Sequence, residues 1–314
     1  MGGENEMKVL VLGAGAVGGY FGGRLVEKGV DVTFLVRERR RQQLAARGLK
    51  IHSVHGDYQF QPNLITAGEE KGPFDIIFLS TKAYHFADAV ESIRDYVGKD
   101  TLVIPLLNGI QHIAHLQELF GAERVLGGLC FIETTLNEEG DVVQTSTTHD
   151  LLYGEWGGGR SNRIGAVEQL FSGANARFRL SEHIQREMWH KYLFITTFSG
   201  MTTLMNSPIG PIREAEAGLP LIRQLAEEVA EVMRVIGAPI ADDIVEKQME
   251  TYAKQGYAMK SSMLRDMEKG LSVEADHLQG YLLKHAEQHK LSTPLLRIVY
   301  NNLKVYEIKR SAQL

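Results

Sequence analysis

At 314 residues the chain is long enough for about two domains, and 44% hydrophobic with 23% charged residues is ordinary for a globular protein. A formal net charge of −5 gives no reason to expect a nucleic-acid partner, and one cysteine, Cys130, excludes an intrachain disulfide framework and a cysteine-based metal cluster. No uninterrupted apolar run approaches the roughly 18 residues of a membrane span.

The opening Met1-Gly2-Gly3-Glu4-Asn5-Glu6 lacks the basic and apolar parts of a signal peptide. Glu6 also stands where a Gly2 myristoylation signal needs Ser or Thr. The expected location is the cytoplasm, away from any membrane.

Val9-Leu10-Val11-Leu12 reads as a buried parallel strand. It runs straight into Gly13-Ala14-Gly15-Ala16-Val17-Gly18, glycines at the G-x-G-x-x-G spacing. In that pattern Gly13 allows a tight turn, Gly15 lets a pyrophosphate approach the backbone, and Gly18 lets the next helix pack closely on the strand. The helix, from Val17 to about Lys28, would aim its amides and positive dipole end at the phosphates. Gly29 closes it, and Asp31 to Val36 returns as a second strand. A dinucleotide fold of this kind marks the end of the second strand with an acid for NAD or an arginine for NADP. Here stand Arg37, then Glu38, then Arg39-Arg40-Arg41. A guanidinium grips a 2′-phosphate bidentately and a carboxylate repels it, so the reading favours NADP(H). Glu38 keeps dual use open.

Further strands are expected at Asp75 to Thr81, Thr101 to Leu106 and Arg124 to Cys130, followed by antiparallel segments at Phe131 to Thr135, Val142 to Thr145 and Asp150 to Glu155. From about Ser181 the chain turns helical. Ile222, Leu225, Ala226, Val229, Val232, Met233 and Ile236 recur at helical spacing up to Gly237. Thr293-Pro294 reads as an N-cap followed by proline at the first helical position, opening a helix to about Glu307. The expected fold is α/β: a Rossmann-type dinucleotide-binding domain over residues 1–180, then an all-α domain over 181–314.

Four places carry residues suited to chemistry. Lys82 follows Ser80-Thr81 at a strand's carboxyl end, where ligands of open α/β sheets bind; it touches cofactor or substrate, or is a surface lysine. Asn108-Gly109 ends the next strand, as a hydrogen-bonding site for substrate or nicotinamide ribose, or as a turn chosen for its backbone. Lys191, in Trp189-His190-Lys191, sits among apolar neighbours; there a lysine faces a cleft, where desolvation lowers its pKa, or snorkels to water. Ser261-Ser262 opens a polar segment ahead of a helix from Glu274 to about Glu287, suited to holding a carboxylate or to capping. His112 and His115 lack an acidic or cysteine partner at ligand spacing, so no metal is expected.

Together these blocks resemble the ketopantoate reductase family (2-dehydropantoate 2-reductases) over nearly the whole chain. The likeness runs from the glycine motif through Ser80-Thr81-Lys82-Ala83 and Leu107-Asn108-Gly109 to Trp189-His190-Lys191 and Ser261-Ser262-Met263-Leu264, Glu274-Ala275-Asp276 and Gly280-Tyr281-Leu282. The resemblance implies NADPH-dependent reduction of 2-dehydropantoate in pantothenate synthesis, or of another 2-keto acid or ketone in a paralogue, with a homodimer as the expected assembly. It implies Lys191 as the catalytic lysine that protonates the ketone oxygen, and Glu274 as its acidic partner, orienting substrate and lysine. Asn108 and Lys82 match residues near nicotinamide and substrate, and Ser262 the serine that holds the substrate carboxylate. Gly13, Ala14, Gly15, Ala16, Val17, Gly18 and Arg37 complete the cofactor site. Well-characterised members carry Asn one and two helical turns after the lysine; this chain has Ile195 and Ser199, the latter kept as a substrate contact. An Asn often found five residues after the glutamate is Gln279 here.

Overall fold

The computed structural model describes residues 7–312, so the reading of Met1 to Glu6 lies outside the described residues. The chain forms two compact units. One holds the residues up to Leu107 together with His112–Gln185; the other holds Asn108–Gln111 and the residues from Arg186 on.

In the first unit, β1 (Lys8–Leu12), α1 (Ala16–Lys28), β2 (Asp31–Leu35) and α2 (Glu38–Arg47) are followed by short β3 (Leu49–Ser53), β4 (Tyr58–Phe60) and β5 (Asn63–Ile65). Then come β6 (Phe74–Leu79), α3 (Phe86–Ile93), β7 (Val97–Pro105), α4 (Gln111–Phe120), β8 (Leu126–Leu136), β9 (Val142–Glu155), α5 (Asn162–Phe171) and β10 (Arg177–Leu180). The first sheet is parallel, in the order β5-β2-β1-β6-β7. Strand order reverses beside β1, and ligands of such sheets bind outside the carboxyl strand ends at that point. Val9, Leu10, Val11, Ile76, Ile77 and Phe78 are fully buried, which is why these strands show as unbroken apolar runs.

The second sheet is mixed, ordered β10-β9-β3-β4 with β8 paired to β9. Here the sequence reading needs correction. The segments expected as separate strands between Arg124 and Glu155 are two long antiparallel strands, after a 3₁₀ turn at Ala122–Arg124. A register shift between Ile132 and Thr134 breaks the alternation, and the polar run Gln144-Thr145-Ser146-Thr147-Thr148 hides the middle of β9. Leucines and aromatics mark only the buried ends.

Helix α1 lies between the two sheets, and its glycines form two stripes one turn apart. A Cβ on Gly22 would sit 2.8 Å from the Phe34 ring of β2; one on Gly19 would sit 2.9 Å from Val142 of β9. The face of α1 toward the second sheet also carries buried polar groups. Tyr20 Oη bonds His149 Nδ1 at 2.7 Å, and His149 stacks on His55 at 3.7 Å. Arg24, fully buried, donates to Glu27 and to the Gly56 carbonyl, each at 2.7 Å. Burial, reinforced by His55, pushes the His149 imidazole down to about 4. The unfolded chain would therefore take up a proton near pH 6.5 that the folded chain takes up only near 4. The stabilisation is fully present above about pH 6.5 and is lost as pH falls toward 4, amounting to about 2–3 kcal/mol. Urea unfolding at neutral pH and at about pH 4.5 should show this loss, and His149→Phe should flatten it; an unchanged slope in the variant would assign the acid sensitivity elsewhere.

The second unit is helical: α6 (Ile184–Leu204), α7 (Ile209–Glu214), α8 (Gly218–Val235), α9 (Ile244–Lys254), α10 (Ser262–Glu268), α11 (Tyr281–Gln288) and α12 (Pro294–Ala312). The apolar stripe of α8 is buried from Ile222 to Met233, as its spacing predicts, while Ile236 is half-buried at the C-cap. Two local expectations hold only in part, although Pro294 does open α12. The Thr293 hydroxyl is buried without a hydrogen-bond partner, and the start of α12 is capped instead by Glu228 of α8. Its carboxylate accepts from the Leu295 and Leu296 amides at 3.2 and 2.9 Å, placing negative charge at the positive helix end. The helix expected from Glu274 is broken into a π turn, Asp276–Gly280, and then α11. The Gly280 amide reaches back five residues to the Ala275 carbonyl at 2.9 Å.

Candidate active site

The glycine motif sits at the carboxyl end of β1. Gly13 has φ +93°, a conformation suited to glycine, and its amide donates to the Leu35 carbonyl at 3.0 Å. A Cβ on Gly15 would meet nothing within 4 Å, so the space above it is open to a ligand. A Cβ on Gly18 would overlap the Gly13 carbonyl oxygen and Ser80 Oγ. No side chain caps the start of α1, so its leading amides remain suited to an anion. These features fit the pyrophosphate of a dinucleotide, with Ala14 buried and Ala16 and Val17 half-buried in the same turn.

Two supports of this loop were not read from sequence. Ser80 Oγ donates to the Leu12 carbonyl at 2.9 Å and lies 3.2 Å from that of Gly13, tying β6 to the loop. Arg40 Nη2 donates to the Ala14 carbonyl at 3.0 Å and to the Gly140 carbonyl at 2.8 Å. The arginine run was legible, but which arginine turns inward depends on the pitch of α2. Arg37, two residues after Leu35, is exposed at the N-cap of α2, its Nη2 3.4 Å from His85 Nδ1. Burial, with Arg37 alongside, lowers the His85 pKa. Lys82, half-exposed three residues after β6, precedes a 3₁₀ turn at Ala83–His85. The glycine turn, Arg37 and Lys82 thus share the carboxyl edge of the parallel sheet.

The other candidates lie in the helical unit. Lys191 and Ile195, one turn apart on α6, are both half-buried. The segment carrying Glu274 is hung on the same helix: Tyr192 Oη donates to the Leu278 carbonyl at 2.5 Å, and Gln279 Nε2 donates to Ser199 Oγ at 3.0 Å. Glu274 is 8% exposed. Asn108 is half-buried, and its carbonyl accepts from His277 Nε2 at 2.8 Å. Ser262 is exposed at the first position of α10; its neighbour Ser261 does the capping, accepting from the Leu264 amide at 3.0 Å. Ser199, one further turn along α6 from Ile195, is 4% exposed, and its hydroxyl accepts from Gln279.

Family comparison bears on the same elements. Residues 9–158 match the model described as Ketopantoate reductase PanE/ApbA, and residues 183–307 match its C-terminal model. The chain belongs to the ketopantoate reductase family. It is 46% identical to the "Uncharacterized oxidoreductase YkpB" of Bacillus subtilis over 97% of this chain and all of that one. A crystal structure of 2-dehydropantoate 2-reductase from Geobacter metallireducens superposes with a TM-score of 0.86 at 28% identity, covering 95% of this chain and 99% of that one. The fold also matches D-mandelate dehydrogenase, whose ternary structure holds NADH and anilino(oxo)acetate: TM-score 0.86, 18% identity, covering 97% and 100% of the two chains. The chain is therefore an oxidoreductase of the ketopantoate reductase family, with a Rossmann-like unit and a helical C-terminal unit. No helix among the described residues is long and apolar enough to cross a membrane.

Proposed function

We propose that this chain is an NADPH-dependent reductase of 2-keto acids, with 2-dehydropantoate as the first substrate to test. The observation that carries the reading is the docking of the Glu274 segment on the Lys191 helix through Tyr192 and Gln279. A bound NADPH, held by the Gly13–Gly18 turn and Arg37, would supply hydride to the keto carbon. As that carbon is reduced, negative charge develops on the carbonyl oxygen; the Lys191 ammonium stabilises it and transfers a proton to it, completing the alcohol. Glu274 orients Lys191 and substrate, Asn108 and Lys82 position nicotinamide and substrate, and Ser262 holds the substrate carboxylate. The test is loss of NADPH absorbance with 2-dehydropantoate, run beside pyruvate and larger branched 2-keto acids. No oxidation of NADPH with any of them would end this reading.

A second reading within the same chemistry, a more apolar 2-keto acid, is favoured by Ile195 one turn beyond Lys191. An apolar side chain offers no partner to a substrate hydroxyl, and an unpaired polar group costs affinity. It is excluded if 2-dehydropantoate gives by far the highest kcat/KM of the panel.

Cofactor choice is tested at Arg37. Arg37→Ala should weaken NADPH binding by about 10- to 100-fold and NADH binding by less than about threefold, because the lost bidentate contact is to the 2′-phosphate. Equal losses for both cofactors, measured by fluorescence titration, would contradict that role.

A further inference from the structure

The turn Asn108–Gly109 follows β7, yet it belongs with the helical unit. Gly109 has φ +83°, and a Cβ there would stand 3.0–3.1 Å from the His277 ring. The imidazole therefore lies against the bare Cα of Gly109 while Nε2 meets the Asn108 carbonyl at 2.8 Å. A carbonyl oxygen only accepts, so Nε2 carries the proton of that bond. His277 sits in the π turn, one turn after Glu274, and that turn is held on α6 by Tyr192 on the Leu278 carbonyl and by Gln279 on Ser199 and the Thr196 carbonyl. π turns inside helices are rare and recur at functional sites.

We propose that His277 is a positioning residue for the reduction: its Nε2–H holds the Asn108–Gly109 turn against the segment that carries Glu274. This rests on the 2-keto acid reductase reading, in which Asn108 and Glu274 act on the same substrate. The ring spans two parts of the site that are distant in sequence, and its Nε2 bond is to the Asn108 backbone. Through that bond it sets where the Asn108 side chain stands. Burial lowers the His277 pKa, while the Glu274 charge and the Asn108 carbonyl oppose that shift.

The test compares His277→Leu, which removes the donor, with His277→Gln, whose terminal amide can reach as imidazole Nε2 does. His277→Leu should lower kcat by about 10- to 100-fold on the best 2-keto acid, with NADPH affinity within about threefold of the parent, and His277→Gln should recover most of kcat. Amide hydrogen exchange across Gly109 to Gln111 should rise in the leucine variant and return in the glutamine variant. A leucine variant with parental kcat and exchange overturns the proposal, as does an equal loss in both variants. A parent enzyme that reduces no 2-keto acid ends the reductase reading alone; the exchange comparison then still decides whether His277 holds the turn.

Discussion

Lys191→Ala is expected to lower kcat for 2-keto acid reduction by about a thousandfold or more, with NADPH affinity within about threefold of the parent. The side chain is half-buried on α6 in the helical unit, whereas the glycine turn belongs to the other unit, so its loss should spare the cofactor. Lys191→Arg separates two contributions. It keeps a positive charge but gives up no proton near neutral pH. If proton transfer is the main contribution, the arginine variant is nearly as inactive as the alanine variant. Arginine activity within about tenfold of the parent would instead make charge stabilisation the main contribution of Lys191. Unchanged turnover in Lys191→Ala would remove the lysine from the chemistry altogether.

Gly18→Ala is expected to destabilise the first unit by on the order of 3 kcal/mol and to abolish measurable NADPH binding, because the new methyl overlaps a backbone carbonyl and Ser80 Oγ. Alanine is otherwise the better helix former, so the sign of the effect comes entirely from the close approach of α1 to β1 and β6. Gly15→Ala is the matched comparison. Its methyl meets no protein atom within 4 Å, so stability should change by less than about 1 kcal/mol while cofactor affinity falls. Urea unfolding and NADPH titration on both variants give the answer. Parallel losses of stability and affinity in the two variants would mean that Gly15 is kept for folding and not for a ligand.

What could be read from sequence divides along physical lines. The buried parts of β1, β2, β6 and β7, in β7 only from Thr101 on, lie in a parallel sheet and announce themselves by their largely apolar residues. The middle of β9 is polar, and β3, β4, β5 and β10 are short and mixed in character, so nothing local marks them. Candidate residues at strand ends and in the Lys191 and Glu274 blocks were named from position and resemblance. The groups that hold them were not, because each acts on a backbone atom far along the chain: Arg40 on Ala14, Ser80 on Gly13 and His277 on Asn108. Ser199 adds a contact that spacing does not show: its hydroxyl accepts from Gln279, eighty residues on.

The glycine stripes of α1 also bear on how the phosphate loop comes into being. Gly18, Gly19, Gly22 and Gly23 occupy four of its 13 positions, and each lowers intrinsic helicity by about 1 kcal/mol relative to alanine. A segment that short and that glycine-rich has no helical life of its own in water. It becomes a helix only once the strands on both sides are there to close on it, β2 through Phe34 and β9 through Val142. The loop at its head thus depends on long-range packing, and a bound dinucleotide would lock the two sheets together through the helix they share.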